Sequence, residues 1–196
     1  MYKKILFLVI IICAVIQAGT PQTSKARGMF VSFNIGPRVP VGTFSDKCIM
    51  GYGFTASLDY TDSEYLPFFI FGKVGYEQFP GSQDFYHSSA YTHYSSSFVP
   101  FTLGARYYFR PILENFVIIM PCIEAGANLA IYQNLHQFKT SSGIPGYVED
   151  GTQFGYEIGV GASMFLAEVM ASYHFYPEHQ FLAVEMRIRL PLIISF

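Results

Sequence analysis

The carboxy-terminal stretch of the chain alternates between apolar residues and other residues. Every second position from Leu182 to Phe196 is apolar. The intervening set comprises Glu185, Arg187, Arg189, Pro191, Ile193 and Ser195. A period of two places the two sets on opposite faces of a strand, so the arginines lie opposite an apolar face. A long strand of this kind suits a wall between lipid and a polar interior.

Seven further alternating segments precede it, separated by turn-forming residues. The predicted strands span residues 29–36, 51–61, 67–78, 98–109, 116–132, 152–164, 168–176 and 181–196. Long connections follow the first, third and fifth strands, at 37–50, 79–97 and 133–151, whereas those after the second, fourth and sixth are short. An even-stranded membrane barrel with both ends on one side has this pattern. The sequence therefore predicts an all-β fold: an eight-stranded antiparallel up-and-down transmembrane β-barrel.

The amino terminus has the pattern of a secretory signal peptide. Lys3 and Lys4 precede an apolar run from 5 to 16, which is too short for a spanning helix, and Ala18 offers a small residue for cleavage. We expect a signal peptide at 1–18, a short periplasmic segment at 19–27 and an outer-membrane barrel domain at 28–196. Cleavage after Ala26 is the alternative, and Ile12 disfavours lipidation at Cys13.

The composition excludes several classes of protein. The chain is 51% hydrophobic and only 13% charged, whereas soluble domains carry about 25% charged residues. The excess apolar surface must therefore face something other than water. The formal net charge of −2 argues against nucleic acid as a partner.

The inward faces of the predicted strands carry both signs of charge. The predicted interior charge network comprises Asp59, Lys73, Glu77, Arg106, Glu124, Glu157, Glu185, Arg187 and Arg189. Side chains just fill the interior of an eight-stranded barrel, and unpaired buried charge is costly. We therefore expect a closed plug of ion pairs. A narrow path for ions or protons is the alternative.

Other chemistry-bearing residues form no recognised site. We predict no catalytic, cofactor-binding or metal-ligating residue and no cofactor. A nucleophile and base set could be drawn from Ser172, His174, Glu178 and His179, but no known motif surrounds them. His87 and His93 lack further metal ligands, and a disulfide between Cys48 and Cys122 is disfavoured. The Tyr-, Ser- and His-rich stretch at 82–97 is predicted to be a solvated loop, with a binding surface as the alternative.

Three segments resemble those of the small outer-membrane barrels of the OmpA, OmpX and OmpW type. They are the Pro-x-Gly-x-Phe-like run at 36–45 and the glycine-rich stretches at 121–126 and 155–161. Leu190, Leu192, Ile194 and Phe196 resemble the carboxy-terminal assembly signal of such barrels. The resemblance implies a monomer in the outer membrane of a Gram-negative bacterium. Its implied partners are outer-membrane lipids and lipopolysaccharide, with the barrel-assembly machinery during insertion.

Function is less constrained than fold, because one barrel hosts many roles. The sequence favours a non-enzymatic barrel with a structural or surface-interaction role, carried by three long loops. The alternatives are a narrow channel for small hydrophobic or ionic solutes, a lipid-modifying enzyme and a soluble lipid-binding barrel.

Overall fold

The structure is a computed structural model that describes residues 27–62, 66–112 and 118–195. The predicted signal peptide, most of the short segment that follows it and Phe196 lie outside the described residues. The strands are β1 (Arg27–Val41), β2 (Gly51–Asp62), β3 (Leu66–Pro80), β4 (Tyr91–Tyr108), β5 (Ile119–Phe138), β6 (Tyr147–Met164), β7 (Ala167–Phe175) and β8 (Gln180–Ser195). A short helix, α1 (Gln83–Ser88), joins β3 to β4.

Each strand pairs antiparallel with the next, and β8 pairs with β1 to close the ring. The predicted eight-stranded antiparallel barrel is therefore confirmed. We call the end that holds Arg27 and Ser195 the terminal end, and the opposite end the distal end. Among the described residues, no helix has the length and apolarity needed to cross a bilayer.

The strands extend further toward the distal end than predicted. Strand β1 continues to Val41, β4 begins at Tyr91, β5 continues to Phe138 and β6 begins at Tyr147. The extensions of β4, β5 and β6 pair with one another, as Tyr94 does with His136, and the extension of β1 pairs with β8. The predicted long loops are correspondingly shorter. Polar and aromatic side chains obscured the alternation here, although the backbone groups still pair with neighbouring strands.

The alternation of β8 ends before its last residues. Pro191, Leu192, Ile193 and Ile194 are all exposed, so the prediction that Pro191 and Ile193 face the interior is wrong. The register between β1 and β8 shifts between Met29 and Phe30. A shift of one residue exchanges the two faces of a strand.

The outer wall of the barrel is apolar around the whole ring. Every strand contributes large apolar side chains that are at least 43% exposed. They include Phe33, Ile35, Phe54, Leu58, Ile70, Val74, Phe101, Leu103, Ile123, Leu129, Phe154, Ile158, Val160, Val169, Leu182, Val184, Met186 and Ile188. The alternating side chains point inward, where charged and polar groups dominate.

Candidate functional site

The nine residues of the predicted interior network all lie inside the barrel, and eight of them are buried. Arg189 is the exception, with its side chain 11% exposed. At the centre, the Arg106 guanidinium contacts Glu124 Oε2 at 2.8 Å, and Arg187 Nη2 lies 3.2 Å from the same oxygen. Arg106 Nη1 also reaches Asp59 Oδ1 at 3.3 Å. The carboxylate of Glu124 thus joins two guanidinium groups from different strands.

Lys73 connects this centre to the distal half. Its Nζ lies 2.5 Å from Glu157 Oε1 and 3.5 Å from Glu124 Oε1. These contacts cross the interior from β3 to β5 and β6. Because every partner is buried, salt in the surrounding solution screens these ion pairs only weakly.

Sequence reasoning missed two members of the network, Arg38 and Glu168. Arg38 donates from Nε to Glu77 at 3.0 Å and from Nη2 to Glu185 at 2.6 Å. A Cβ atom at Gly53 would lie 2.8 Å from Arg38 Nε, so the glycine provides room for the guanidinium. The predicted connection at 37–50 includes Arg38, but β1 continues through Pro37 and Pro40 to Val41.

Glu168 and Arg189 close the terminal end. Arg189 Nη2 lies 2.8 Å from Glu168 Oε1, and its guanidinium carbon lies 5.1–5.8 Å from the ring centres of Phe30, Phe69 and Tyr108. Tyr108 also donates to Glu168 at 2.5 Å. A cation enclosed by aromatic faces fills this end of the barrel.

A second group of rings closes the distal half, which we call the aromatic layer: Phe44, Phe79, Phe98, Tyr176, His179 and Phe181. Phe44 comes from the β1–β2 connection and packs edge-on against Phe79 at 4.9 Å and His179 at 4.9 Å between ring centres. All six side chains are at most 3% exposed. The interior charges are therefore covered at this end too.

Ser172 and His174 come together as the sequence suggested, but with a different acid. Ser172 Oγ lies 3.0 Å from His174 Nε2, and His174 Nδ1 lies 3.4 Å from Glu157 Oε2. Glu178 instead lies exposed at the distal end, and His179 belongs to the aromatic layer. The serine, histidine and Glu157 are at most 3% exposed. The line of groups resembles a catalytic triad in order, yet the closed interior gives a substrate no route to it.

Above the aromatic layer, the distal end holds an open polar cavity of about 320 Å³, which we call the distal bowl. Its lining residues are Thr43, Phe44, Lys47, Tyr94, Asn134, His136, Glu149, Pro177, Glu178 and His179. Asn134, His136 and Glu149 come from β5 and β6, where the prediction placed a loop. The bowl was therefore not predictable as a site from spacing alone.

Burial and nearby charges shift two titrating groups of the bowl. Burial first, and Lys47 second, lower the pKa of His179 from 6.5 to about 4. Burial also raises the pKa of Tyr94, with added contributions from Cys48 and from the carboxylates of Glu149 and Glu178. His179 is therefore neutral near pH 7, and the carboxylates make the bowl negative.

The remaining predicted candidates do not assemble into a site. Cys48 and Cys122 are both free and buried, and burial raises the pKa of Cys48 to about 12, which disfavours a reactive thiolate. His87 lies exposed on α1, and His93 lies exposed on β4. Within the described ranges, no three His, Cys, Asp or Glu side chains converge to hold a metal ion.

No protein-family model matches the chain, and no curated protein matches it. Solved structures of two other proteins are similar to it. Neisserial surface protein A aligns over 86% of this chain and 100% of its own, with 13% identity and a TM-score of 0.49. Ail, the attachment invasion locus protein of Yersinia pestis, aligns over the same shares with 14% identity and a TM-score of 0.42 in complex with the heparin analogue sucrose octasulfate. A second structure of Ail gives 12% identity and a TM-score of 0.41.

Proposed function

We propose that the protein is an integral outer-membrane barrel that does not conduct and that presents its distal end to the medium as a contact surface. One observation carries this proposal: the ring is closed, with an apolar wall outside and paired charges inside. The same arrangement in water would expose a continuous apolar belt, which soluble monomers avoid.

The wall has the features that a bilayer requires. Between the two rims, the large outward-facing side chains of the described strands are apolar or tyrosine, and tyrosines lie near both rims. At the distal rim, Tyr52 donates to Gln78 at 2.8 Å and Tyr173 donates to Gln180 at 2.5 Å. At the terminal rim, Tyr60 donates to Asp62. Tyrosines with an apolar body and a polar tip favour membrane interfaces.

The distance between these rims also fits a membrane. Tyr52 and Tyr60 are eight steps apart on β2, or about 26 Å along the strand at about 3.3 Å per residue. A tilt of about 40° reduces this length to about 20 Å of depth, close to the apolar band of about 25 Å that membrane barrels present.

The sealed interior argues for a plug rather than a channel. Arg189 and its three rings fill the terminal end, ion pairs occupy the middle, and the aromatic layer covers the distal half. A conducting path needs continuous water or a chain of exchangeable sites, and the aromatic layer offers neither.

The distal end is the part of the barrel that is left for contacts. Its acidic residues outnumber its lysines: Asp46, Asp84, Glu149, Asp150 and Glu178 stand against Lys47 and Lys139. Such a surface favours neutral or cationic partners and repels polyanions. The structural contribution of the barrel to the envelope is the second candidate role, favoured by the dense internal pairing.

Four measurements test the proposal together. Purified protein should migrate differently on a gel before and after boiling, and planar bilayers that contain it should show no steady current. In intact cells, protease should cut only at the distal connections. A steady current would support the channel, and full extraction from membranes by salt would contradict membrane insertion.

A further inference from the structure

The polar groups of the distal bowl are held in place by neighbours. Ser96 donates to Asn134 Oδ1 at 2.6 Å, and the Tyr91 hydroxyl lies 3.1 Å from His136 Nδ1. The His136 ring stacks on Tyr147 with 4.5 Å between ring centres. A site whose side chains are already ordered loses little conformational entropy when a ligand binds.

This ordering leaves acceptor atoms open. His136 Nε2 and Asn134 Nδ2 both reach Glu149 Oε2, at 3.2 Å and 3.4 Å. The other oxygen, Oε1, makes no hydrogen bond with a described residue. Glu178, from the β7–β8 connection, is exposed and also lines the bowl. Two carboxylate groups therefore retain free acceptor capacity around one cavity.

His179 adds an acceptor at the floor. Its Nδ1 lies 3.1 Å from Gln153 Oε1, so a neutral ring donates there and carries its lone pair on Nε2. The lowered pKa keeps this ring neutral near pH 7. It therefore contributes no positive charge to the bowl.

Lys47 is the cation that lines the bowl, and it forms no ion pair with Glu149 or Glu178 in the described part of the chain. The cavity is thus rich in acceptors and negative in charge. An ammonium group is its chemical complement, because it has three donors and no acceptor. Phe44 and Tyr94 add aromatic surface, which attracts organic cations.

We propose that the distal bowl binds a small molecule that carries a protonated primary amine, with Glu149 and Glu178 accepting from the ammonium group. The cavity of about 320 Å³ is at the small end of ligand sites, which span about 300–1,000 Å³. The inference rests on the proposed function in one respect only: the proposed function states on which side of the membrane the bowl meets its ligand.

Calorimetric and NMR titrations of the folded barrel in detergent micelles test this inference. The probes are cadaverine, a linear diamine, and glucosamine, an amino sugar, with N-acetylglucosamine as the match that lacks the charge. We expect at least one amine to bind and to shift the signals of Glu149 and His136, with N-acetylglucosamine about tenfold weaker or more. The amine that binds more tightly shows whether the bowl prefers a linear diamine or an amino sugar. Equal binding of glucosamine and N-acetylglucosamine, or no binding of either amine, overturns the inference.

Variants assign the binding to the bowl. Glu149→Gln combined with Glu178→Gln should weaken the amine about tenfold or more, because hydrogen bonds to charged groups are lost. Asp150→Asn is the matched control, because Asp150 is adjacent on β6 but bonds Gln133 outside the bowl. It should leave the affinity unchanged, and equal losses in both variants would overturn the inference.

A third variant does not depend on how well the glutamine replacements fold. Lys47→Met removes the competing cation from the β1–β2 connection, so the affinity for the amine should rise severalfold. An unchanged or lower affinity contradicts the inference. Because micelles contain no oriented membrane, failure here is separate from failure of the membrane and conductance tests.

Discussion

Arg106 on β4 lies directly opposite Glu124 on β5, and its Nε donates to Glu124 Oε2 at 2.8 Å inside a closed ring. Both side chains are fully buried. Removing one partner of such a pair leaves an uncompensated charge away from water, which costs more than the pair itself contributes.

We therefore expect Arg106→Met to lower the free energy of unfolding by about 3–5 kcal/mol. Arg106→Met with Glu124→Gln should cost less than the sum of the two single changes, because the second change removes the stranded charge. Urea unfolding in lipid vesicles, followed by gel mobility, measures both. Arg27→Met is the control: its pair with Asp62 lies at the rim with Arg27 58% exposed, so we expect less than about 1 kcal/mol.

The cost of placing a charged side chain on the outer wall should depend on how deep in the membrane that position lies. Ile158 is 58% exposed at the middle of the apolar band, and Val148 is 49% exposed on the distal extension of the same strand. Ile158→Arg should destabilise the barrel in vesicles by about 2–4 kcal/mol, whereas Val148→Arg should cost about 0–1 kcal/mol. Equal effects would place the wall outside a bilayer.

The aromatic layer depends on a ring from a connection rather than from a strand. We expect Phe44→Ala to loosen the 42–50 connection while the ring of strands stays closed, because local segments open at lower free energy than the whole fold. Trypsin should then cut after Lys47 faster than in the unaltered protein. Phe54→Ala, on the outer wall, should leave this cleavage rate unchanged. An unchanged rate in Phe44→Ala would show that the Phe44 side chain does not hold the 42–50 connection in place.

His179 should make stability depend on pH. The unfolded histidine takes up a proton near pH 6.5, but the folded one does so only near pH 4. The contribution of His179 to stability is therefore complete above about pH 6.5 and is lost as the pH falls from 6.5 toward 4. Unfolding free energies at pH 7 and pH 5 should differ less in His179→Gln than in the unaltered protein. His93→Gln, an exposed histidine, should keep the original difference.

The assembly signal makes a prediction about a residue outside the described part of the chain. Deletion of Phe196 should reduce the amount of heat-modifiable barrel in the membrane fraction, if the assembly machinery reads the terminal alternation. Replacement by tyrosine should preserve insertion. Normal insertion after the deletion would show that Leu190, Leu192 and Ile194 do not act with Phe196 as a signal.

Alternation predicts the ring and its two faces because pleating fixes the direction of every second side chain. Glu157 and Arg187 could be assigned to the interior from their neighbours alone. Arg38 could not, because proline residues on either side are typical of loops, and only an observed pairing with β8 shows that the strand continues.

The distal bowl was beyond prediction for a different reason. Lys47 and Glu178 lie in two connections that are far apart in the chain, and His136 lies in a stretch of polar residues between predicted strands. Their proximity depends on how the ring curves and on how far β5 and β6 extend. Neither quantity has a local sequence signal.

The hydrogen bonds at the β1–β8 junction connect residues that are far apart in the chain. Arg38 reaches Glu185 across 147 positions, and Arg187 donates to Asn34 across 153. Contacts of such separation form late, because the intervening chain must first be ordered. Until the two edges meet, these two hydrogen bonds cannot form, so a half-assembled barrel carries polar side chains that lack part of their pairing. The internal pairs therefore stabilise the barrel fully only when the ring is complete, which makes the last step of assembly cooperative.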